Sequence, residues 1–199
     1  MNFLAHIYLS GIEPDIKIGN FIGDYVKGKA LHIYPDKIQQ GILLHRFIDS
    51  FTDKHANTLE AKSLFAPKYR KYAGIVIDII YDHFLATNWN KYSRIGFRKY
   101  IDDFHKLLKN NESMLPSEVQ KIVPKLIKND RIFSYKEIEG IRAVLQTMPI
   151  YTSLPDYSDY AIKTLEENYN LLMQKFFIFF KDIIYYIKTV HNIPFDNVI

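Results

Sequence analysis

The chain reads as an all-α, single-domain helical bundle for three reasons. Apolar residues recur mostly at three- and four-residue spacing, strict alternation is scarce, and no Asn-Gly or Asp-Gly hairpin turn occurs anywhere. At 199 residues the chain suffices for one well-buried core and is short for two. No repeat, low-complexity tract or polar linker divides it. The expected division is within one domain: residues 1 to about 90 carry the unusual polar residues, and residues 91–199 complete the core.

Taken in order, helices are expected over about 2–10, 15–27, 35–52, 68–88, 93–109, 116–128, 134–147 and 156–190. Gly28 can close the second helix, Ser93 can cap the fifth, and Ser134 with Glu137 has capping-box spacing. Pro149 and Pro155 bracket a connector that should not be helical. The last helix contains the run Phe176 to Phe180, yet Lys175, Lys181, Asp182 and Lys188 leave a polar stripe. It is read as an amphipathic helix packed on protein, the alternative being contact with lipid or a partner.

Composition narrows the function classes. The chain is 48% hydrophobic and 24% charged, and no segment has the uninterrupted apolar length of a membrane span. The amino terminus lacks the basic start and small-residue cleavage site of a signal peptide, so a cytoplasmic location is expected. With no cysteine there are no disulfides and no thiolate metal ligands. The net charge of +4 suits an acidic partner or a phosphorylated substrate. No basic cluster is dense enough for nucleic acid; the nearest, Lys68, Tyr69, Arg70 and Lys71, reads as the solvated start of a helix.

Polar residues then appear where a core helix would place Leu or Ile. In Ile75–Ala86, Asp78, Asp82 and His83 interrupt an apolar run, and an unpartnered buried charge costs several kcal/mol, on the order of what a whole domain can spare. Four pairs in the first 83 residues share the i, i+4 spacing that puts two side chains on one helix face: Asn2 with His6, Asn20 with Asp24, His45 with Asp49, and Asp78 with Asp82. One such pair means little; four among apolar neighbours suggest a polar pocket inside the bundle.

Imidazole and carboxylate together suit Mn²⁺, Fe²⁺, Zn²⁺ or Mg²⁺. Asp82 and His83 point about 100° apart on a helix, so both can ligate only an ion near the edge between them, with Asp78 as a supporting residue or a buried carboxylate bonded to a tyrosine or arginine. Arg46, beside His45, could grip a phosphate oxygen or pair with Asp49 or Asp53. Lys27 near Asp24 could do the same or simply complement a helix dipole.

On these residues the sequence resembles the acyl carrier protein phosphodiesterases. The matching blocks are Met1-Asn-Phe-Leu-Ala-His6, Gly19-Asn-Phe-Ile-Gly-Asp24 with Val26-Lys-Gly28, Gly41-Ile-Leu-Leu-His-Arg-Phe-Ile-Asp49 with Thr52-Asp53, and Asp78 with Tyr81-Asp-His-Phe-Leu85. They run in order over roughly the first ninety residues. That family is similar to the HD-type metal-dependent phosphohydrolases, which makes Asp82-His83 the expected Asp-His pair and His45, Asp82 and His83, with His6 or Asp24, the expected metal ligands. The resemblance implies removal of the 4′-phosphopantetheine arm from holo acyl carrier protein, with manganese as the usual metal. It leaves a downstream aspartate ligand unplaced, a vacancy that Asp24 could fill. Asp24, Arg46, Asp49 and Asp78 are the expected catalytic residues, with Asp49 or Asp78 orienting a ligand or taking the water's proton. A phosphohydrolase of nucleotides or other small phosphate esters, and a non-catalytic helical binding protein, are the alternatives.

Overall fold

The computed structural model describes residues 2–195, and among them every regular element is helical. The first five helices are α1 (Phe3–Leu9), α2 (Pro14–Phe21), α3 (Asp36–Lys54), α4 (Ala56–Tyr69) and α5 (Ala73–Thr87). The remainder are α6 (Phe97–Asn110), α7 (Ser117–Lys128), α8 (Arg131–Ser134), α9 (Ile138–Thr147), α10 (Ser158–Glu167) and α11 (Tyr169–Val190). Short 3-10 turns join several of them, among them Gly23–Tyr25 and Arg70–Tyr72.

Helix α5 is the central element. Eleven of its 15 residues are buried, so it is covered on nearly every side rather than along one stripe. Helix α1 packs on one flank of it, and α4, α9 and α11 pack elsewhere around it. From α11, Phe176, Phe179 and Phe180 are fully buried, with Phe179 stacked on Tyr81 at 5.2 Å and Phe176 on Phe180 at 4.9 Å. Burying each such ring contributes about 1.5–3 kcal/mol. The apolar run of α11 therefore faces protein, while Ile178 and Tyr185 lie on its exposed side.

Helices α2 and α3 cross closely because two glycines meet there. A Cβ at Gly19 would stand 2.1 Å from the Ile38 carbonyl oxygen, and one at Gly41 would stand 2.3 Å from that of Ile16. Only side-chain-free backbone lets the axes approach so near. The crossing brings Asn20, which follows Gly19, against His45, one turn after Gly41.

Several helix boundaries differ from expectation, each for a local reason. The second helix stops at Phe21, and the 3-10 turn that follows turns Asp24 outward; Gly28, at φ +55°, starts another turn instead of closing a helix. Helix α4 was not expected. It carries a buried stripe of Thr58, Ala61, Phe65 and Tyr69 at helical spacing. It ends where Arg70 adopts φ +48°, so the expected 68–88 helix begins only at Ala73.

Ser93 and Ser134 do not cap helices. The Ser93 hydroxyl accepts from the Ile95 amide, and Ser134 donates back to the Arg131 carbonyl, leaving Gly96 and Glu137 as the residues before α6 and α9. The long C-terminal helix is two helices. Asn168 donates its side-chain amide to the Thr164 carbonyl and stops α10. Pro149 lies in a 3-10 turn, Met148–Ile150.

Candidate metal centre

Three side chains gather at the α1, α2 and α3 junction. His6, His45 and Asp49 each offer a ligand atom, and these atoms all lie within 4.8 Å of one another. The two rings stack face to face, with centroids 4.0 Å apart and planes 15° apart. His6 Nε2 lies 3.2 Å from one Asp49 oxygen, and His45 Nε2 lies 3.2 Å from the other. Asp24 completes the group, its Oδ1 also 3.2 Å from His45 Nε2.

One residue sets the tautomer of both rings. Asn20 donates its amide to the His6 carbonyl and to Ser10 Oγ, so its Oδ1 is the acceptor facing His6 Nδ1 at 2.7 Å. Its backbone carbonyl faces His45 Nδ1 at 2.8 Å. A carbonyl only accepts, so both Nδ1 atoms carry hydrogen and both neutral rings turn an Nε2 lone pair toward the carboxylates. Facing the carboxylates in this way, each Nε2 is suited to share a cation or a proton with them. Space for this comes from Gly23, where a Cβ would lie 2.3 Å from His45 Cγ.

Electrostatics follow from the same contacts. Burial, helped by the neighbouring His45, pushes His6 down to about 4 against the pull of Asp49. For His45 burial also favours the neutral ring, but the Asp24 and Asp49 carboxylates outweigh it and raise the ring to about 9. Contact with His45 holds Asp24 below its usual value. Burial would raise Asp49, yet His45 and His6 hold it far below the normal carboxylate range.

The donor set fits a divalent ion. His45 Nε2 is buried and makes no hydrogen bond of proper geometry. Ligands on adjacent corners of a shell with bonds of about 2.1 Å stand about 3 Å apart, close to the 3.2 Å contacts found here. Imidazole nitrogen with carboxylate oxygen, without sulfur, suits Mn²⁺, Fe²⁺, Zn²⁺ or Mg²⁺.

The centre opens on a cleft of about 580 Å³. Asp24 and Asp49 line it, together with Asp53 and Asp78. Burial raises the Asp78 carboxyl above its usual value. The α4 and α5 wall adds Lys62, Arg70 and Lys71. A non-glycine residue in the left-handed φ range costs on the order of 1–3 kcal/mol, and Arg70 is one.

Asp82, His83 and Arg46 are placed differently from the sequence expectation. Both Asp82 oxygens accept backbone amides at the start of α1, from Leu4 at 2.8 Å and Ala5 at 2.9 Å. Fully buried there, Asp82 is pushed up to about 7 against the pull of those amides. His83 Nδ1 donates to the Tyr135 carbonyl, so its Nε2 accepts from the Tyr169 hydroxyl, and both ring nitrogens are committed. These two residues fix α1 and the α8 and α11 segments to α5, and neither belongs to the His6, His45 and Asp49 group. Arg46 is exposed and donates to the Val26 carbonyl, outside the cleft lining. Asn2 donates to the Tyr135 hydroxyl instead of meeting His6. The cleft cations Lys62, Arg70 and Lys71 are not among the expected site residues; Arg70 and Lys71 fall in the basic run from Lys68 to Lys71, and Lys62 has no such signal.

Comparison with known proteins agrees with the first-half blocks and extends them. The family described as acyl carrier protein phosphodiesterase matches residues 1–183. A protein of Photorhabdus laumondii named acyl carrier protein phosphodiesterase is 32% identical over 149 residues, covering 74% of this chain and 75% of its own. One of the same name from Pectobacterium atrosepticum is 27% identical over 95% of this chain and 98% of its own. Another, from an Enterobacter species, is 29% identical over 90% and 94%. No solved structure matches.

Proposed function

We propose, for a chain that belongs to the acyl carrier protein phosphodiesterase family, that it removes the 4′-phosphopantetheine arm from holo acyl carrier protein by metal-dependent hydrolysis, with Mn²⁺ the expected ion. The observation that carries this reading is the pair of Nε2 atoms, oriented by Asn20 at both Nδ1 positions and aimed at the carboxylates of Asp49 and Asp24. His6, His45 and Asp49 hold the ion in this account, and Asp24, 78% exposed on the cleft, is the fourth ligand.

A divalent ion supplies Lewis acidity toward a phosphoryl oxygen and toward the attacking water. The chain's own residues do the rest. Asn20 keeps both rings in one tautomer and orientation, so little reorganisation accompanies reaction. In the overall step a water oxygen bonds to phosphorus, the bond from phosphorus to the carrier serine oxygen breaks, and that oxygen takes a proton. Asp78 lines the cleft, and its affinity for protons, raised by burial, suits it to carry that proton between water and serine. The chain's net positive charge favours approach of an acidic carrier protein.

Incubating the purified protein with holo carrier protein, with Mn²⁺ and then with chelator, tests this reading. Mass spectrometry should show the carrier lose the arm and free phosphopantetheine appear, in the metal-supplied reaction alone. Turnover of nucleotides with an intact carrier would reject the substrate.

A further inference from the structure

With Arg46 donating to Val26 and lying outside the cleft, a side-chain cation to assist the metal ion with the phosphodiester's charge has to come from another residue. The cleft's four carboxylates would repel such a substrate by themselves. Arg70, in the turn between α4 and α5, lines the same space. Its φ of +48° suits glycine, yet the residue there is a long cation.

Arg98 and Arg142 both pair with aspartates, Arg98 with Asp102 and Asp130, and Arg142 with Asp159. Arg70 has no such partner among the described residues. Lys62, on α4, lines the same cleft and is tied to Asp53 at 2.5 Å. Its stem crosses the start of α5, where Gly74 leaves room: a Cβ there would lie 3.3 Å from Lys62 Cε. Strain, an unpaired guanidinium and a positioned ammonium thus coincide on the cleft that Asp24 and Asp49 also line.

We propose that Arg70, with Lys62 lining the same cleft, is an anion subsite that takes the non-bridging oxygens of the substrate's phosphodiester. The identity of the phosphodiester rests on the carrier-protein reading; the subsite itself does not. A planar guanidinium matches two phosphate oxygens at once, which an ammonium cannot do, so lysine is an incomplete substitute.

The test is calorimetric titration of inorganic phosphate into the Mn²⁺-supplied wild-type protein and its Arg70→Ala, Arg70→Lys and Arg70→Gly variants, with arm-release kinetics alongside. Arg70→Ala should weaken phosphate binding about tenfold or more, and Arg70→Lys should recover part of the loss. Arg70→Gly should lose binding as the alanine variant does while unfolding at a temperature no lower than wild type, because it relieves the strained φ. Lys68→Ala, outside the cleft, should change nothing. Phosphate affinity in Arg70→Ala within about twofold of wild type, or no phosphate binding by wild type, would overturn the subsite. Arginine-dependent phosphate binding without arm release would reject the substrate reading and leave the subsite standing.

Discussion

His6 and His45 stack with ring centroids 4.0 Å apart, and each presents its Nε2 to a different oxygen of Asp49. Two helices thus aim two ring nitrogens at one carboxylate, and Asn20 on a third holds both rings in place. The relationship makes the centre sensitive to changes that touch no ligand.

Gly23→Ala is such a change. The added Cβ would lie 2.3 Å from His45 Cγ and 2.5 Å from its Cβ, so the ring must shift. Metal affinity should fall by about 10- to 100-fold, as when an outer-shell support is lost. The stability loss should be about 1–3 kcal/mol, from overpacking. Metal titration and thermal unfolding of the same variant check both figures, and unchanged metal affinity would mean that His45 is not a ligand.

Proton release follows from His45. In the metal-free protein its carboxylate neighbours raise it to about 9, so at pH 7 the ring holds a proton that a ligand must give up. Metal binding should release about one proton from His45 at pH 7, and affinity should rise about tenfold per pH unit until near 9. Titrations in buffers of different ionisation enthalpy count the protons; affinity flat from pH 6 to 9 would contradict the assignment.

How far the sequence carries depends on the range of the interactions. The all-α architecture and the His45 and Asp49 pair are local, because helical spacing alone puts both on one face of α3. Asp82 and His83 have partners 52 to 86 residues away, which no local pattern shows. Their burial was readable from the apolar run around them; what satisfies them was not. Asn20 was visible as a polar residue on a core helix, but its bridge between two histidines needs the glycine crossing of α2 and α3. Helix α4 carried a readable stripe, obscured by Pro67 in its last turn and by its weak amphipathicity.

Asp82 makes a prediction about stability. Removing its carboxylate in Asp82→Ala strands two buried amides of α1, at a cost of about 1–3 kcal/mol per unsatisfied group. The pH dependence has a definite sign. The folded value of about 7 lies above the ordinary 3.8, so the folded state binds the extra proton. This contribution is fully present below the ordinary value and is lost as pH rises through about 7. Asp82→Asn, which cannot ionise, should remove that decline, as urea unfolding at pH 5 and pH 7.5 would show. An unchanged slope would contradict the burial argument.

If His6, His45 and Asp49 hold a divalent ion, and Asp82 and His83 do not, anomalous diffraction at the manganese edge from crystals grown with Mn²⁺ will show it. One strong peak is expected about 2.2 Å from His6 Nε2, His45 Nε2 and an Asp49 oxygen. A peak bonded to Asp82 and His83 instead, or none at the stacked histidines, would rule that assignment out.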